Sequence, residues 1–546
     1  MNIIGLHTSF NSKTHDPSVA LIVDGQLVFA IEEERLNRIK TSMGYFPERA
    51  FIKCLEKSSL TIHDIDLVVS DGITSPFLKN KIKDYIKHIF GYCPAIKLYD
   101  HSTCHNYSSY FISGFNSSLT ISVDGQGDGI STNVSYMNNS NNKYLYNELY
   151  KSNNKFSLGN FYTAFTNYLG FRSVEGEYKV MGMAAYGKPK IDLSSIINFN
   201  NITEDFEGKN YNSLFNIDNY TSITEPSYNE EFIYELTKIK RLNLSEGEEF
   251  TQDHFDLAAS VQYAFETNYI NLISHFVKKT NAEYLCLSGG CALNCLANKN
   301  IKKLGLKDYF IMPASSDRGI SVGAAAIAAI ENNDLTKKNI NQNMYLGISY
   351  TNNDIVETLN LLGINFIELN DLYDDCLTSV NDGKIVGWHQ GRSEFGPRAL
   401  GARSIIASPS IRGMKDKINS KIKFREKFRP FAPAILDTEL SQYFQNTNQL
   451  KFMTFALDTP TNLQRNIQET VHHDKTSRIQ SVNENDDIYF YNLLNNFKKK
   501  SIFPSVINTS FNVNGEPIVE TPLDAIRTFY GSGIEVLYIN NIKINK

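Results

Sequence analysis

No stretch of this chain is apolar for long enough to cross a membrane. The best run, Val322 to Ile330, falls far short of the roughly 18 residues that a span needs. The opening Met-Asn-Ile-Ile-Gly-Leu-His lacks both a basic segment and a sustained apolar core. It therefore reads as a first strand rather than a secretory leader, and a cytoplasmic protein is expected. Surplus positive charge is missing as well. Lys and Arg number 54 against 59 Asp and Glu, a net charge of −5, which disfavours an extended nucleic-acid surface. Seven cysteines, an odd number without CxxC spacing, point to reduced thiols. Cys291 and Cys295 stand four apart, but in a Gly-rich stretch where packing is a better reading than metal binding.

What the chain does have is a local concentration of cations. Residues 391–433 place Arg392, Arg398, Arg403, Lys423, Arg425 and Arg429 in one segment of an acidic protein, interleaved with Gly, Pro and Phe. That pattern does not suit a solvated helix face. It suits a folded cup for a small anion such as phosphate or carboxylate. Phe395, Phe424, Phe428 and Phe431 are expected to anchor the cup in a core, which argues against an incidental basic loop.

At 546 residues the chain exceeds what one hydrophobic core supports, so at least two domains are expected, residues 1–338 and 345–546. The polar stretch Asn332 to Asn343 is the linker candidate. The first third alternates β-branched runs (Ile3–Leu6, Val19–Val23, Gln26–Ala30) with helical stretches such as Pro47 to Lys57. Strand, glycine turn and strand recur about 100 residues later at Leu119–Val123, weak evidence for an α/β fold of two similar halves around a nucleotide. A long amphipathic helix is expected from Phe255 to Lys279, then a strand at Tyr284–Leu287. Residues 190–250 read as an insertion, rich in Asn, Ser and Tyr, that either lines an acceptor cleft or lies on the surface. Residues 460–500 read as a peripheral excursion.

Asp100-His101-Ser-Thr-Cys-His105 puts two imidazoles at i and i+4. On a helix both rings share a face and can chelate one divalent ion. Asp317, between a strand end and the small-residue helix Val322–Ile330, is a plausible third ligand; ordinary polar positions near a cleft are the alternative. Three glycine turns follow strands: Asp124 to Gly129 (with Gly125 and Gly127), Ser288 to Asn294 (with Gly289, Gly290 and Asn294), and Asp317-x-Gly319. Such turns let backbone N–H groups approach phosphate oxygens, and three together favour nucleotide binding. Lys179 to Gly187 adds a cation and a small-residue wall, although a packed strand–turn reads similarly. Further on, Lys423-x-Arg425 pairs with Asn508-Thr-Ser510-Phe-Asn512, which the strand Pro504–Ile507 delivers. Cations with amide and hydroxyl groups are what a planar acyl phosphate such as carbamoyl phosphate requires.

These residues resemble the NodU/TobZ group of O-carbamoyltransferases. The match runs through Asp16 to Arg38, Asp100 to Tyr110, Glu177 to Gly187, Ser288 to Asn294, Glu394 to Ser404, Lys421 to Pro433 and Asn508 to Pro522, in order along nearly the whole chain. The resemblance implies an α/β protein with an N-terminal actin-like ATPase-type (TsaD-like) duplicated domain and a C-terminal YrdC-like α/β domain. The C-terminal domain would bind carbamoyl phosphate and ATP, with Mg2+, and form carbamoyl-adenylate. The N-terminal domain would pass the carbamoyl group to a hydroxyl of a small-molecule acceptor, a natural product or sugar. By position, His101, His105 and Asp317 would hold a divalent metal, Fe2+ in the family's usual assignment. Lys423, Arg425, Ser510 and Asn512 would occupy the KxR…SxN positions, and a homodimer is expected. Ser102 departs from the family's His-His-Leu-Ala-His, and Cys291 and Arg318 also differ, which leaves the acceptor unassigned.

For the acceptor hydroxyl, His15 oriented by Asp16 and titrating near neutrality is the first choice of general base, with His7 and Asp16 itself as alternatives. Two other functions stand beside carbamoyl transfer. Threonylcarbamoyl transfer to tRNA is disfavoured by the acidic balance. A non-catalytic actin-like nucleotide module leaves the cationic segment unexplained.

Overall fold

The computed structural model describes residues 1–10, 14–140, 143–153, 155–216, 228–244, 247–334 and 343–546. Most of the expected linker therefore lies outside the described residues. The chain forms two compact units, residues 1–33 with 41–342, and residues 34–40 with 343–546. Among the described residues no helix is long and apolar enough to cross a membrane.

Unit 1 contains the same five-stranded sheet twice. Strands β1 (Asn2–His7), β2 (Ser18–Val23), β3 (Gln26–Glu32), β4 (Leu67–Ser70) and β5 (Ala95–Leu98) stand in the order β3-β2-β1-β4-β5. The second sheet uses β6 (Ser117–Gly127), β7 (Ile130–Ser140), β8 (Lys143–Asn153), β11 (Tyr284–Ser288) and β12 (Asp308–Ile311), after a small hairpin of β9 (Asn198–Asn200) and β10 (Asp205–Glu207). Its order is β12-β11-β6-β7-β8. In each sheet the first strand pairs antiparallel with the second and parallel with the fourth. The duplication foreshadowed by repeated glycine turns is thus the architecture of the unit.

Two helices pack where the halves meet. Asp100 caps helix His101–Ser113, its Oδ1 accepting from Thr103 N at 2.8 Å. The Ala-rich helix Ile320–Glu331 crosses it so closely that a Cβ on Gly323 would lie 1.8 Å from the Cys104 carbonyl oxygen. Gly5 meets the same helix, with a notional Cβ 1.9 Å from Ser321 O. Glycine therefore sets the height of the histidine-bearing helix above the sheet.

Unit 2 is an eight-stranded mixed sheet. It comprises β13 (Ile367–Glu368), β14 (Val386–His389), β15 (Arg403–Ala407), β16 (Ala432–Leu436), β19 (Gln480–Val482), β20 (Ser505–Ser510), β21 (Val536–Ile539) and β22 (Ile542–Asn545). The order is β13-β22-β21-β14-β15-β20-β16-β19, and β17 (Leu457–Asp458) pairs with β18 (Thr476–Ser477) apart from it. Both faces are covered, as strand alternation shows. Ile405, Ile507 and Leu537 enter one core, while Ile406, Val506 and Val536 enter the other.

Three local expectations change. Residues 460–500 are not peripheral, because they supply edge strand β19 and a helix, Ile488–Lys499, whose Phe490, Leu493, Leu494 and Phe497 are buried against the sheet. The stretch Lys179 to Ala184 is part of a helix, Glu177–Ala184, not a strand–turn. Phe395 and Phe431 anchor the cationic segment in a core, but Phe424 is 61% exposed at φ 42°, so its neighbours must hold the backbone there.

Extending Gly323 by one methyl tests the helix crossing. Gly323→Ala should lower stability by about 1–3 kcal/mol in urea unfolding, the usual cost of overpacking. An unchanged midpoint would mean that the crossing has slack.

Candidate active site and metal-binding cluster

The cluster in unit 1 collects residues from the carboxyl ends of strands, where α/β folds gather ligands. His7 ends β1, Asp71 follows β4, and His101 comes three residues after Leu98, the last residue of β5. Asp124 lies near the end of β6, and Asp317 sits in the turn that opens helix Ile320–Glu331.

His101 Nε2 lies 3.6 Å from Asp124 Oδ2 and 3.6 Å from Asp317 Oδ1. His105 Nε2 lies 3.8 Å and 3.6 Å from the same two atoms. One ligand atom from each of the four side chains falls within 4.8 Å of the others. Both Nε2 atoms are buried and have no hydrogen-bond partner among the described residues. Such separations exceed hydrogen bonds and approach the ~3.0–3.6 Å expected between ligands each about 2.1 Å from one ion. The donor set of two imidazoles and two carboxylates therefore fits a divalent cation.

Asp71 explains the aim of the rings. Its Oδ2 lies 2.7 Å from His101 Nδ1 and its Oδ1 2.9 Å from His7 Nδ1, leaving each Nε2 turned inward. Burial pushes the His101 imidazole down, but Asp124, Asp71 and Asp317 together raise it well above its ordinary range. Burial likewise pushes the Asp124 carboxyl up, and His101 with His105 pulls it well below. Protons or a cation can satisfy the same charges, so cation binding should release protons.

His15 and Asp16 stand at the rim of this cluster. His15 Nδ1 is 3.3 Å from Asp16 Oδ2 and 3.9 Å from Asp317 Oδ2. Burial lowers the His15 imidazole, but Asp317 and then Asp16 outweigh it and hold it at about 9. That corrects the expectation of titration near neutrality, because two buried carboxylates flank the ring. Asp16 is itself fixed at φ 60°, its Oδ1 2.6 Å from the Arg318 guanidinium and its Oδ2 accepting from Ser316 Oγ at 3.0 Å.

The glycines of the expected phosphate cradle serve the same cluster. A Cβ on Gly127 would lie 2.0 Å from the His101 ring. Gly289 turns at φ 81° against the Val123 carbonyl, and Gly290 N donates to Asp124 Oδ1 at 2.9 Å. The carbonyl of Gly125 accepts from Ser157 Oγ at 2.6 Å. Asn294 caps a short helix and exchanges side-chain hydrogen bonds with Gln262 at 2.9 and 3.0 Å. Lys179 sits over the Phe171 ring at 5.1 Å.

The second group of predicted residues comes together in unit 2. Lys423 Nζ donates to Ser510 O, to Asn512 O at 3.0 Å and to Asn512 Oδ1 at 2.7 Å, and lies 3.2 Å from Ser510 Oγ. Burial lowers its ammonium well below the usual range, and the charges of Arg425, Arg429 and Lys40 add to that. Arg425 donates to Asn419 Oδ1 at 2.7 Å and lies over the Phe431 ring at 4.4 Å. Burial first, then Arg429 and Arg478, depress it too. Arg398 is half-buried in its loop, and Arg429 is 4.0 Å from Glu426.

Two of the six expected cup residues are fastened elsewhere. Arg403 is fully buried, and its guanidinium donates to the carbonyls of Gln390, Gly391, Ala402, Ile348 and Glu520. An anion-binding role for Arg403 gives way to a structural one, because backbone oxygens already occupy its fork. Arg392 donates to the carbonyls of Gly347 and Leu346.

Asp71, Asp124, Arg478 and Lys40 escaped the sequence reading. Asp124 and Asp71 each follow a β-branched run and precede a glycine, which is the one signal that marks them.

Asp71→Asn should loosen both imidazoles. Calorimetric titration of a divalent ion into chelator-treated protein is expected to show affinity falling about 10–100-fold. Undiminished affinity would remove Asp71 from the cluster's support.

The chain matches the family model described as Carbamoyltransferase N-terminus over residues 2–89 and 86–326. It matches the model described as Carbamoyltransferase C-terminus over residues 378–546. It is 32% identical to nodulation protein NolNO of Sinorhizobium fredii (strain NBRC 101917 / NGR234), across 98% of this chain and 80% of that protein. Nodulation protein NolO of Bradyrhizobium diazoefficiens is 32% identical over 82% of this chain and 79% of its own length. Among solved structures, a full-length HypF aligns over 61% of this chain and 56% of its own, at 14% identity and a TM-score of 0.37. A likeness that partial carries no argument.

Proposed function

Because this chain belongs to the carbamoyltransferase family and is an enzyme of that class, we propose that it is an ATP-dependent O-carbamoyltransferase acting on a hydroxyl of a small-molecule acceptor, a natural product or sugar. The observation that carries this reading is the Lys423 nest. A buried ammonium is held by Ser510 and Asn512 while Arg425 and Arg429 crowd it with like charge. Like charges buried together favour a shared anion. Ser510 and Asn512 add the hydroxyl and amide groups that read a carbamoyl edge.

In the proposed first half-reaction, carbamoyl phosphate, ATP and one water give carbamoyl-adenylate, pyrophosphate and inorganic phosphate. Unit 2 contributes charge neutralisation through Lys423, Arg425 and Arg429, and orientation through Asn512. In the second, the acceptor oxygen forms a bond to the carbamoyl carbon, AMP leaves, and the acceptor's proton is taken up by a base. The adenylate offers a nucleotide handle for binding energy remote from the reacting carbon. His101, His105, Asp124 and Asp317 would hold the divalent cation, iron by family expectation. When bound it supplies charge neutralisation at phosphate and polarisation of a carbonyl. His15 lies close enough to receive a proton only when it is deprotonated, and Asp16 fixes the ring that would do so. Asp317 is the group that most opposes that deprotonation. A homodimer in the cytoplasm completes the proposal.

Pyrophosphate release that requires both ATP and carbamoyl phosphate is the expected activity. Arg425→Ala and Lys423→Ala should each reduce it by a factor of about 10²–10³ or more, the scale of losing a preorganised charge at a reacting group. Full activity in either variant would contradict the assignment.

A further inference from the structure

Residues 469–480 of unit 2 are tied on both flanks to the parts that carry Lys423 and Ser510. Glu469 Oε2 accepts from the backbone N of Lys415 at 2.9 Å, where helix Met414–Ile418 begins. That helix continues directly into the π-helical turn Asn419–Lys423, and Asn419 Oδ1 accepts from Arg425 Nε at 2.7 Å. On the other flank, β19 pairs in parallel with β16, which pairs with β20, and Gln480 Oε1 accepts from Asn508 Nδ2 at 2.7 Å. Asn508 stands two residues before Ser510, the last residue of β20. One tie therefore leads to the turn bearing Lys423, and the other to the strand end bearing Ser510.

His472 lies between those ties. Its backbone N donates to Thr476 O at 2.7 Å, and its Nδ1 is 3.0 Å from Thr476 Oγ1. The Thr476 hydroxyl donates its own proton to Asp474 Oδ1 at 2.7 Å. It can then only accept from the ring, so Nδ1 carries the imidazole proton and Nε2 presents a lone pair. Burial lowers the imidazole from its ordinary value, and Arg478 and Lys415 add to that against Asp474, which keeps the ring neutral. Nε2 is buried and has no hydrogen-bond partner among the described residues. A buried acceptor in that state is costly, yet Thr476 and Asp474 fix the ring so as to present it.

The Lys423 nest is short of such an acceptor. Lys423, Arg425 and Arg429 can only donate. Asn512 Oδ1 already accepts from Lys423 and from Ser510 Oγ, each at 2.7 Å, while Asn512 Nδ2 donates to Glu516 O at 2.7 Å. A primary amide has two N–H groups, which leaves Asn512 a second one for a carbonyl oxygen. A carbamoyl group carries N–H groups as well, and those call for an acceptor.

We propose that His472 Nε2 is that acceptor: it takes a hydrogen bond from the amide N–H of carbamoyl phosphate bound at the Lys423 nest, and so distinguishes a carbamoyl from an acetyl group. The identity of the ligand rests on the carbamoyl-transfer reading. A site built to pair with an N–H rejects the analogue that lacks it, because its own buried group is then left unmatched.

Calorimetric titration of carbamoyl phosphate, acetyl phosphate and inorganic phosphate into the full-length protein tests this, since acetyl phosphate replaces the amide by a methyl group. The wild-type protein should bind carbamoyl phosphate about 10-fold or more tighter than acetyl phosphate. His472→Ala should remove that preference by weakening carbamoyl phosphate alone. Thermal midpoints are measured alongside, and His472→Phe, which keeps the bulk of the ring, replaces the alanine variant if that one does not fold. His88→Ala, at an exposed position of helix Leu78–Phe90, should change nothing. A preference that survives in the variant overturns the proposal. Equal weakening of all three ligands, the mark of a structural role, does so too, as does a loss confined to ATP, whose adenine amino group is the other N–H donor. A wild-type protein that binds none of the three phosphates overturns this inference and the carbamoyl-transfer reading together. A preference that depends on His472, without pyrophosphate release from ATP and carbamoyl phosphate, overturns only the latter.

Discussion

A single carboxylate organises the candidate site of unit 1. Asp71, nearly buried, offers one oxygen to His7 Nδ1 and the other to His101 Nδ1. Both rings are thereby fixed with Nε2 facing inward. His101 joins His105 one helical turn on, and the two confront Asp124 and Asp317. Equivalent strands of the two halves take part, since His7 ends β1 and Asp124 lies near the end of β6. Gly5 lets helix Ile320–Glu331 approach β1, and Gly323 lets helix His101–Ser113, which carries the imidazoles, pack closely on that helix.

Unit 2 poses the opposite electrostatic problem. Its cations are brought together with few carboxylates beside them, and Lys423 is sheltered by oxygen atoms of Ser510 and Asn512. Oxygens from neutral groups stabilise an ammonium without cancelling its charge. The site therefore keeps a field suited to anions, while Arg403 and Arg392 brace the surrounding loops through carbonyls. Unit 1 thus gathers buried groups whose chemistry suits a cation, and unit 2 buried groups whose chemistry suits an anion.

Much of this was legible in the chain itself. His101 and His105 declare a shared helix face because i and i+4 spacing has that consequence wherever a helix forms, and Asp100 marks the start of one. Asp317 stands out at a strand-to-helix turn. Lys423, Ser510 and Asn512 fall together because β20 delivers the latter two beside the π-helical turn at Lys423. What local pattern cannot reveal is which of several cations faces a ligand. Arg398 and Arg403 share a residue type and a short stretch of sequence, and only the fold shows Arg403 turned onto backbone oxygens. Asp71 and Asp124 resemble ordinary strand-ending aspartates, since their importance comes from partners on other elements of the chain. The grouping of residues 34–40 with unit 2 was hidden for the same reason, because the partners of Arg35 and Arg38 lie more than 350 residues along the chain.

In the proposed site, four side chains, His101, His105, Asp124 and Asp317, would share one ion. Anomalous diffraction from crystals of the protein, collected at the absorption edge of the metal it carries, addresses that directly. One peak within about 2.0–2.2 Å of His101 Nε2, His105 Nε2 and an oxygen of each of Asp124 and Asp317 is expected. A peak elsewhere, or none in protein purified and soaked with divalent metal, would contradict it.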